Sequence, residues 1–302
     1  MVIDQLVKQI LSKKNPCIMG IDPEWSKIPE CYKHTAQSPP EAILAWAMDV
    51  IDTVADIVPA VKPQMAFFEV YGAEGVGVHQ KVVQYAHSKG LVVVDDSKRN
   101  DIGNTAKAYA FAHLAKDGPI NADFLTVSPF LGTDSIQPFV DTAVADGKGI
   151  FVLVKTSNPS SGEISEAVND CGERVRDWLA GYVNSVGNSC TGKYGYSGIG
   201  AVVGATYQEE ARQLRKIMKN NFFLVPGFGV QGGGAKDVVS CFNDDGLGAI
   251  VSSSRGILYH HLNVSDYDHS RAMYMHIVRA QTESMRDAVY CELRRAYRNM
   301  AY

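Results

Sequence analysis

Short apolar runs alternate with longer amphipathic segments along the whole chain. Eight of these runs, rich in β-branched residues, are predicted to be strands: Cys17–Ile21, Ile57–Lys62, Leu91–Asp96, Asp123–Val127, Ile150–Lys155, Gly198–Val203, Phe222–Val225 and Ala249–Ser253. Their apolar positions are continuous rather than alternating, which is typical of parallel strands covered on both faces. The pattern therefore predicts a parallel sheet that other elements enclose.

The amphipathic segments between these strands are predicted to be helices. Ser38-Pro39-Pro40-Glu41 combines an N-cap residue, early prolines and a capping-box glutamate, and it opens a helix that reaches about Asp56. Thr206-Tyr207-Gln208-Glu209 repeats the capping box and opens another helix after the sixth strand. The remaining helical segments are Gly75–Ser88, Asn104–Lys116, Ser135–Asp146, Ile164–Asn184, Ala235–Phe242 and a C-terminal tail over Tyr267–Met300.

Eight strands, each followed by helical sequence, favour a TIM (β/α)8 barrel over a doubly wound open sheet. An open sheet would call for a glycine-rich phosphate turn after the first strand, whereas Gly20-Ile21-Asp22-Pro23 offers an aspartate. We predict a single α/β domain over residues 1–302. Its barrel covers about residues 15–262, and extra C-terminal helices over residues 263–302 pack outside it.

Composition and charge exclude several classes of function. The chain of 302 residues is 46% apolar and 21% charged, and its net charge of −4 is dispersed, which argues against an extended nucleic-acid surface. The N-terminus lacks a signal peptide and no apolar run is long enough for a membrane span, so no membrane partner is expected. Six scattered cysteines and eight histidines without metal-ligand spacing indicate a cytoplasmic protein with reduced thiols and no metal.

The first candidate chemistry lies at the end of the third strand. The run Asp95-Asp96-Ser97-Lys98-Arg99-Asn100-Asp101-Ile102-Gly103-Asn104-Thr105 follows the apolar residues Leu91–Val94 directly. Strand alternation places Asp96 and Lys98 on one face. A carboxylate beside an ammonium group is costly in a core and useful in a site, so we favour a site over a polar surface turn.

The ends of the other strands carry polar residues as well. Because the C-terminal ends of barrel strands converge on one mouth, these residues are expected to be neighbours. In chain order they are Asp22, Lys62, Asp96 and Lys98, Ser128, Lys155–Asn158, Thr206, Gly227–Gly234 and Ser252–Gly256. Scattered surface charge would not follow the strand ends in this way.

The last two strand ends suggest a phosphate site. Glycines let backbone N–H groups approach an anion, and Arg255 offers a bidentate fork with Gln231 as a neutral donor. Barrels recurrently bind phosphate with the loops after strands seven and eight. The alternative is that the glycines only make turns and that Arg255 is a solvated surface charge.

The charged residues Lys62, Asp96, Lys98 and Asp101 would form an alternating array that could drive a decarboxylation. An ionised Asp96 facing a substrate carboxylate would raise the energy of that carboxylate, and this stress would disappear as CO2 leaves. Lys98 could then stabilise and protonate the carbanion. A purely structural ion-pair network is the alternative.

With these residues placed, the chain resembles the orotidine 5′-phosphate decarboxylase family. The residues Asp96 to Thr105 match the pattern Asp-x-Lys-x-x-Asp-Ile-x-x-Thr, which is the catalytic signature of that family. Its other segments follow in order as Gly20-Ile21-Asp22, Val61-Lys62-Pro63, Pro226–Gly233 and Ser254-Arg255-Gly256. The resemblance covers about residues 15–258 and is to the longer, single-function subfamily.

The resemblance implies conversion of orotidine 5′-phosphate to UMP and CO2, the last step of de novo pyrimidine biosynthesis, without metal or organic cofactor. It implies that Lys98 is the proton donor and that Asp96 lies against the departing carboxylate. Asp22 and Lys62 would hold ribose hydroxyl groups. Ser157 is the best match for the serine that binds the pyrimidine.

The resemblance also implies a homodimer with shared active sites. By the same motif, Asp101, Ile102 and Thr105 would reach into the site of the partner subunit. Gln231 and Arg255 fall in the phosphate-binding segments of the family.

Two other functions remain open at this point. A Mg-dependent sugar-phosphate decarboxylase or aldolase of the same superfamily shares the Asp-x-Lys-x-x-Asp pattern, although Asp22 and Lys62 fit ribose binding better. A non-catalytic sensor of phosphate ligands would have little use for Asp96 and Lys98 side by side.

Overall fold

The computed structural model describes residues 1–229 and 233–302, and in it eight parallel strands close into a barrel in chain order. The first strand pairs with both the second and the eighth, so the predicted TIM barrel is confirmed and the open sheet is excluded. The strands are β1 Cys17–Ile21, β2 Ala60–Pro63, β3 Val92–Arg99, β4 Phe124–Val127, β5 Gly149–Lys155, β6 Ser197–Val203, β7 Asn221–Val225 and β8 Ala249–Ser253.

Helices fill the connections and surround the barrel. They are α1 Val2–Lys13, α2 Glu30–Lys33, α3 Pro39–Val54, α4 Ala66–Glu69, α5 Gly72–Ser88, α6 Gly103–Leu114, α7 Thr133–Asp146, α8 Gly162–Ser165, α9 Val175–Gly187, α10 Gln208–Ile217, α11 Arg255–Leu258 and α12 Arg271–Ala296. The start of α3 is as predicted, because the Ser38 hydroxyl accepts a hydrogen bond from the Glu41 N–H at 3.4 Å.

Two predicted helices were wrong in detail. The capping box at Thr206 does not form, since α10 begins at Gln208 after Tyr207 and no side chain caps it. The helix predicted over Ile164–Asn184 is broken into α8 and α9. Between them, the Asn169 side chain accepts hydrogen bonds from the N–H groups of Cys171 and Glu173 and stabilises a turn instead.

The other differences concern the two ends of the chain and one connection. In place of the helix predicted over Ala235–Phe242, only the 3-10 turn Val239–Cys241 forms. The N-terminal helix α1 was not predicted at all. The C-terminal tail is helical as expected, but regular helix covers only α12.

Helix α1 closes the N-terminal end of the barrel. Its buried side chains, among them Leu6, belong to one apolar cluster with interior barrel residues that include Phe124 and Phe151. The two phenylalanine rings stack at 5.1 Å, and a Cβ at Gly149 would lie 2.3 Å from the Phe124 ring. Apolar side chains therefore fill the barrel interior at its N-terminal end.

Helix α12 packs outside the barrel against α3. The Trp46 indole N–H donates to the Tyr274 hydroxyl at 2.8 Å, and that hydroxyl donates to the Leu258 carbonyl at 3.0 Å.

All six cysteines are unpaired. Of the helices within the described ranges, none is both long and apolar enough to cross a bilayer.

A buried arginine joins α10 to the N-terminal ends of β7 and β8. The Arg215 guanidinium donates to four carbonyl groups at 2.6–3.0 Å and stacks 3.6 Å from the centre of the Phe223 ring. Burial lowers the pKa of Arg215 to about 10. The planar fork is therefore a structural cross-link that ties together carbonyl groups of four separate backbone positions.

Replacing Arg215 tests this cross-link. We expect Arg215→Lys to lower the free energy of unfolding by about 3 kcal/mol, because one ammonium group cannot reach all four carbonyls. Urea unfolding measures the loss. Arg212→Lys, at an exposed position of the same helix, is the matched control and should change stability by less than about 0.5 kcal/mol. Equal effects of the two substitutions would contradict the structural role of Arg215.

Candidate active site

A cavity of about 430 Å³ opens at the C-terminal mouth of the barrel. Most of the polar strand ends converge there as predicted, but Ser128, Lys155 and Thr206 are not among the residues that line the cavity. Of the predicted site residues, those that line the cavity are Asp22, Lys62, Asp96, Lys98, Ser157 and Arg255.

The Asp96 carboxylate at the end of β3 is the centre of this site. One oxygen, Oδ2, accepts from Lys62 Nζ at 2.6 Å and from Gln64 Nε2 at 3.0 Å. The other, Oδ1, accepts from Lys98 Nζ at 2.6 Å and from Thr126 Oγ1 at 3.0 Å. Asp96 is only 6% exposed and Lys62 only 7%, so this is a desolvated charge network with every carboxylate oxygen engaged.

The two lysines keep Asp96 ionised. Burial would raise the pKa of Asp96, but the charges and hydrogen bonds of Lys62 and Lys98 outweigh burial and lower the pKa to about 2. Burial likewise opposes the charge on Lys62, and the carboxylates of Asp96 and Asp22 raise its pKa above the ordinary value. The negative charge at the barrel mouth is thus permanent over the physiological pH range.

A bulge at the end of β3 brings Lys98 to Asp96. Ladder pairing with β4 joins Asp95 to Leu125 and resumes only at Arg99 with Val127. Within this bulge Lys98 has a left-handed backbone with φ of 47°, which side-chain-bearing residues rarely adopt. Its ammonium group therefore reaches the carboxylate two residues earlier on the same strand.

A second charged group lies behind the strand, facing the helices. Asp95 is fully buried, and its Oδ2 lies 2.7 Å from His113 Nδ1, while its Oδ1 lies 3.3 Å from His79 Nε2. Burial raises the pKa of Asp95, but the hydrogen bonds to its two histidine neighbours more than compensate and hold it well below the usual range. Arg99 Nε donates to His113 Nε2 at 3.1 Å, so the proton of this imidazole is on Nδ1.

Asp22, at the end of β1, presents a free acceptor to the cavity. Its Oδ2 accepts from the Ser254 hydroxyl at 2.6 Å. Its Oδ1 is buried and has no hydrogen-bond partner among residues 1–229 and 233–302, so it is available to a ligand hydroxyl. Gly20 permits this arrangement, because a Cβ there would lie 2.6 Å from the Ser254 Cβ.

The loop after β5 supplies Ser157 to the cavity wall. Buried Lys155 anchors this loop by donating to the Ser165 hydroxyl and to the Glu166 carboxylate, each at 2.9 Å. Its ammonium group also lies 4.3 Å from the centre of the Tyr207 ring. The position of Ser157 therefore depends on a fixed cation outside the cavity.

The predicted phosphate end lies between the loops after β7 and β8. Gly227 and Gly229 have φ of 97° and 84°, which favour glycine. Arg255 begins α11 and lines the cavity. Gln231 lies outside the described residues.

Three predicted residues do not line this cavity. Asp101, Ile102 and Thr105 lie where β3 leads into α6, and the Ile102 side chain is 56% exposed. The Asp101 carboxylate accepts from the Ile102 N–H at 2.8 Å. Within the part of the chain that the structure describes, no group of three acidic, histidine or cysteine residues could hold a metal ion.

Sequence reasoning missed two residues of the charge network. Gln64 follows Lys62 by two positions, so strand alternation could have placed both on the same face. Thr126 is the polar residue in the otherwise apolar strand β4. That polarity marks Thr126 as a candidate site residue. The residues of β3 that Thr126 contacts depend on the bulge, which the sequence does not reveal.

Comparison with known proteins agrees with this geometry. The family model described as "Orotidine 5'-phosphate decarboxylase / HUMPS family" matches residues 16–266. The chain belongs to this family. A relative from Rhodopirellula baltica named orotidine 5'-phosphate decarboxylase is 42% identical over 266 residues, covering 85% of this chain and 88% of that protein. One of the same name from Clostridium perfringens is 36% identical over 289 residues, covering 96% and 98%.

Solved structures of the same family share the fold. A putative orotidine 5'-phosphate decarboxylase from Streptomyces avermitilis superposes with a TM-score of 0.81 at 32% identity, covering 96% of this chain and 95% of that chain. A putative orotidine-monophosphate-decarboxylase from Toxoplasma gondii gives a TM-score of 0.80 at 27% identity, with coverage of 97% and 96%. The resemblance inferred from the motifs is confirmed over nearly the whole chain.

The charge network makes a prediction about stability. We expect Lys62→Met to lower the free energy of unfolding by about 2 kcal/mol at pH 7, because Asp96 loses one of its charged donors. In the unaltered chain, the lowered pKa of Asp96 stabilises the fold above about pH 4, and this contribution is lost as the pH falls toward about 2. In the variant the carboxyl takes up a proton at higher pH, so the penalty should shrink as the pH falls from 7 to about 4.

Urea unfolding at several pH values checks this expectation. Lys27→Met is the control, because the Lys27 ammonium group makes only solvent-accessible contacts among the described residues, with the Glu24 carboxylate and over the Tyr259 ring, and its effect should stay below about 1 kcal/mol at every pH. A Lys62→Met penalty that grows toward low pH would contradict the assigned charge on Asp96.

Proposed function

We propose that this chain catalyses decarboxylation of orotidine 5′-phosphate to UMP and CO2, the last step of de novo pyrimidine biosynthesis. The observation that carries the proposal is the ionised Asp96 fixed between Lys62 and Lys98 at the barrel mouth. The family and the names of the relatives support it. The unpaired cysteines suit a cytoplasmic enzyme.

The substrate is proposed to span the cavity from the loops after β7 and β8 to the end of β3. Arg255, with Gln231, would hold the phosphate, and the backbone at Gly227 can approach it closely. Asp22 and Lys62 would bind ribose hydroxyl groups, for which the unpartnered Asp22 Oδ1 is suited. Ser157 would bind the pyrimidine. The phosphate would bind far from the reacting carbon, and its binding free energy can offset unfavourable interactions at that carbon.

Asp96 would destabilise the carboxylate of the bound substrate. Two like unit charges about 4 Å apart repel by about 4 kcal/mol at an effective dielectric constant of about 20. The two lysines, which hold the pKa of Asp96 at about 2 in the free site, oppose the rise in pKa that a second carboxylate causes and favour the ionised form. The repulsion ends when the C–C bond breaks and neutral CO2 leaves, so it lowers the barrier to that step.

Lys98 would complete the reaction. The electron pair of the broken bond stays on the C6 carbon of the pyrimidine, and the nearby ammonium group stabilises it. Lys98 then donates one proton to C6, which gives UMP, and regains a proton from solvent. Its side chain is 46% exposed, so it can reach both the cavity and the solvent. In this scheme no metal or organic cofactor takes part.

The active unit is proposed to be a homodimer. Helix α6 carries apolar side chains on its outer face, with Tyr109 and Phe111 exposed. Nearby in the chain, Ile102 and the loop residues Phe130 and Leu131 are also exposed, Phe130 by 76%. An apolar surface of this kind suits a second copy. Asp101, Ile102 and Thr105 would then enter the partner's site.

A turnover assay tests the proposed function. We expect the purified chain to consume orotidine 5′-phosphate, followed by absorbance, at the same rate with and without EDTA. We expect Lys98→Ala to lower the rate by at least about 100-fold and to leave UMP affinity within about tenfold. Lys98→Arg keeps the charge beside Asp96 but does not release a proton, so it should be equally inactive.

Other outcomes point to the alternatives. Loss of activity in EDTA would favour the Mg-dependent class, and UMP binding without any turnover would favour a sensor. An active Lys98→Arg variant would remove Lys98 as the proton donor.

Mixing two inactive variants tests the shared site. Lys98→Ala and Asp101→Ala chains, each inactive alone, should together recover about a quarter of full activity, because about half of randomly mixed dimers are heterodimers with one intact site of two. Activity after subunit exchange, verified by tagged chains, is the measurement. The control mixes Lys98→Ala with the double variant and should recover nothing. Failure of the first mixture to recover would place Asp101 in its own subunit's site.

A further inference from the structure

We propose that Thr126 is a positioning residue that holds Lys98 and Asp96 in their reactive arrangement. Thr126 lies in β4, is 1% exposed and does not line the cavity, so it acts through these two residues and not on the substrate. The inference rests on the proposed function, since it concerns the proton donor of that reaction.

The Thr126 hydroxyl joins the two residues through one atom. Its oxygen accepts a hydrogen bond from the Lys98 backbone N–H at 2.9 Å, and the hydroxyl donates to Asp96 Oδ1 at 3.0 Å. A hydroxyl has one proton to give and lone pairs to accept with, so both bonds form together. The direction of each bond is fixed, because a backbone N–H only donates and an ionised carboxylate only accepts.

The bulge explains why a side chain is needed here. Between the pairs Asp95–Leu125 and Arg99–Val127, three residues of β3 face a single residue of β4, which is Thr126. Regular ladder bonding is interrupted over this interval. The Lys98 N–H is instead satisfied by the threonine side chain.

The strained backbone of Lys98 gives this bond its importance. A lysine at φ of 47° is held in a conformation that its own Cβ disfavours. The hydrogen bond to Thr126 opposes relaxation of this residue toward an extended backbone, which would carry the ammonium group away from Asp96. The bond persists when Lys98 has given up its proton, because it involves the backbone and not the amine.

Kinetics of Thr126 variants test the proposal. Thr126→Val keeps the branched shape and removes both hydrogen bonds, and we expect it to lower kcat by about 10- to 100-fold through misplacement of Lys98. KM for orotidine 5′-phosphate and UMP affinity should stay within about threefold, since the binding groups are untouched. Thr126→Ser keeps the hydroxyl and should retain kcat within about threefold.

Two further variants separate positioning from general destabilisation. Thr282→Val in α12 is the matched control, because Thr282 is also buried and its hydroxyl donates to the Val278 carbonyl at 2.7 Å. It should lower the unfolding temperature without changing kcat. If Thr126→Val does not fold, Thr126→Cys, with similar size and a weak hydrogen-bonding group, should show the same selective loss of kcat.

The outcomes are distinguishable. Full activity of Thr126→Val or Thr126→Cys, or a loss in Thr126→Ser as large as in those variants, would overturn the positioning role. A loss of kcat in Thr282→Val of the same size would also overturn it, since destabilisation alone would then explain the effect. An unaltered chain that does not decarboxylate orotidine 5′-phosphate would overturn the proposed function, and this inference with it.

Discussion

The rest of the site depends on the buried Asp96 carboxylate between two ammonium groups. Lys62 and Lys98 supply the attraction that burial opposes, and Gln64 and Thr126 occupy the remaining lone pairs of the carboxylate. Because this site is shielded from water, each hydrogen bond is strong, and loss of one partner would lower the stability of the fold. The four donors therefore fix the position of the negatively charged Asp96 carboxylate, and an approaching anion cannot push it aside.

The barrel separates stability from chemistry along its axis. At the N-terminal end, α1 fills the interior and Arg215 joins the ends of β7 and β8, so that end is closed and cross-linked. At the C-terminal end, the charged residues face a cavity. A rigid base under the strands keeps the side chains at the mouth within hydrogen-bond distance of each other, as catalysis requires.

Much of this arrangement could be predicted from the sequence, because buried parallel strands are continuous apolar runs and their ends are polar. The residues Lys62, Asp96 and Lys98 were found in that way. The bulge was not, since the backbone of Lys98 depends on Thr126 across the sheet. Helix α1 was not predicted although its apolar spacing is visible, because it precedes the first strand and so lies outside the strand–helix alternation of the barrel. The role proposed for Asp101 involves a second chain, which no single sequence displays.

The acidic pair at the end of β3 has a consequence for folding. Asp95 faces the histidines of α5 and α6, and Asp96 faces the lysines of the mouth. A slip of β3 by one residue would turn Lys98 toward the helices and leave His113 opposite the apolar Val94. A slip in the opposite direction would bring Ser97 opposite Lys62 and leave that buried ammonium group without the carboxylate of Asp96. The charged residues of β3 thus also specify the register of that strand, because a barrel with a shifted β3 is less stable even without a bound ligand.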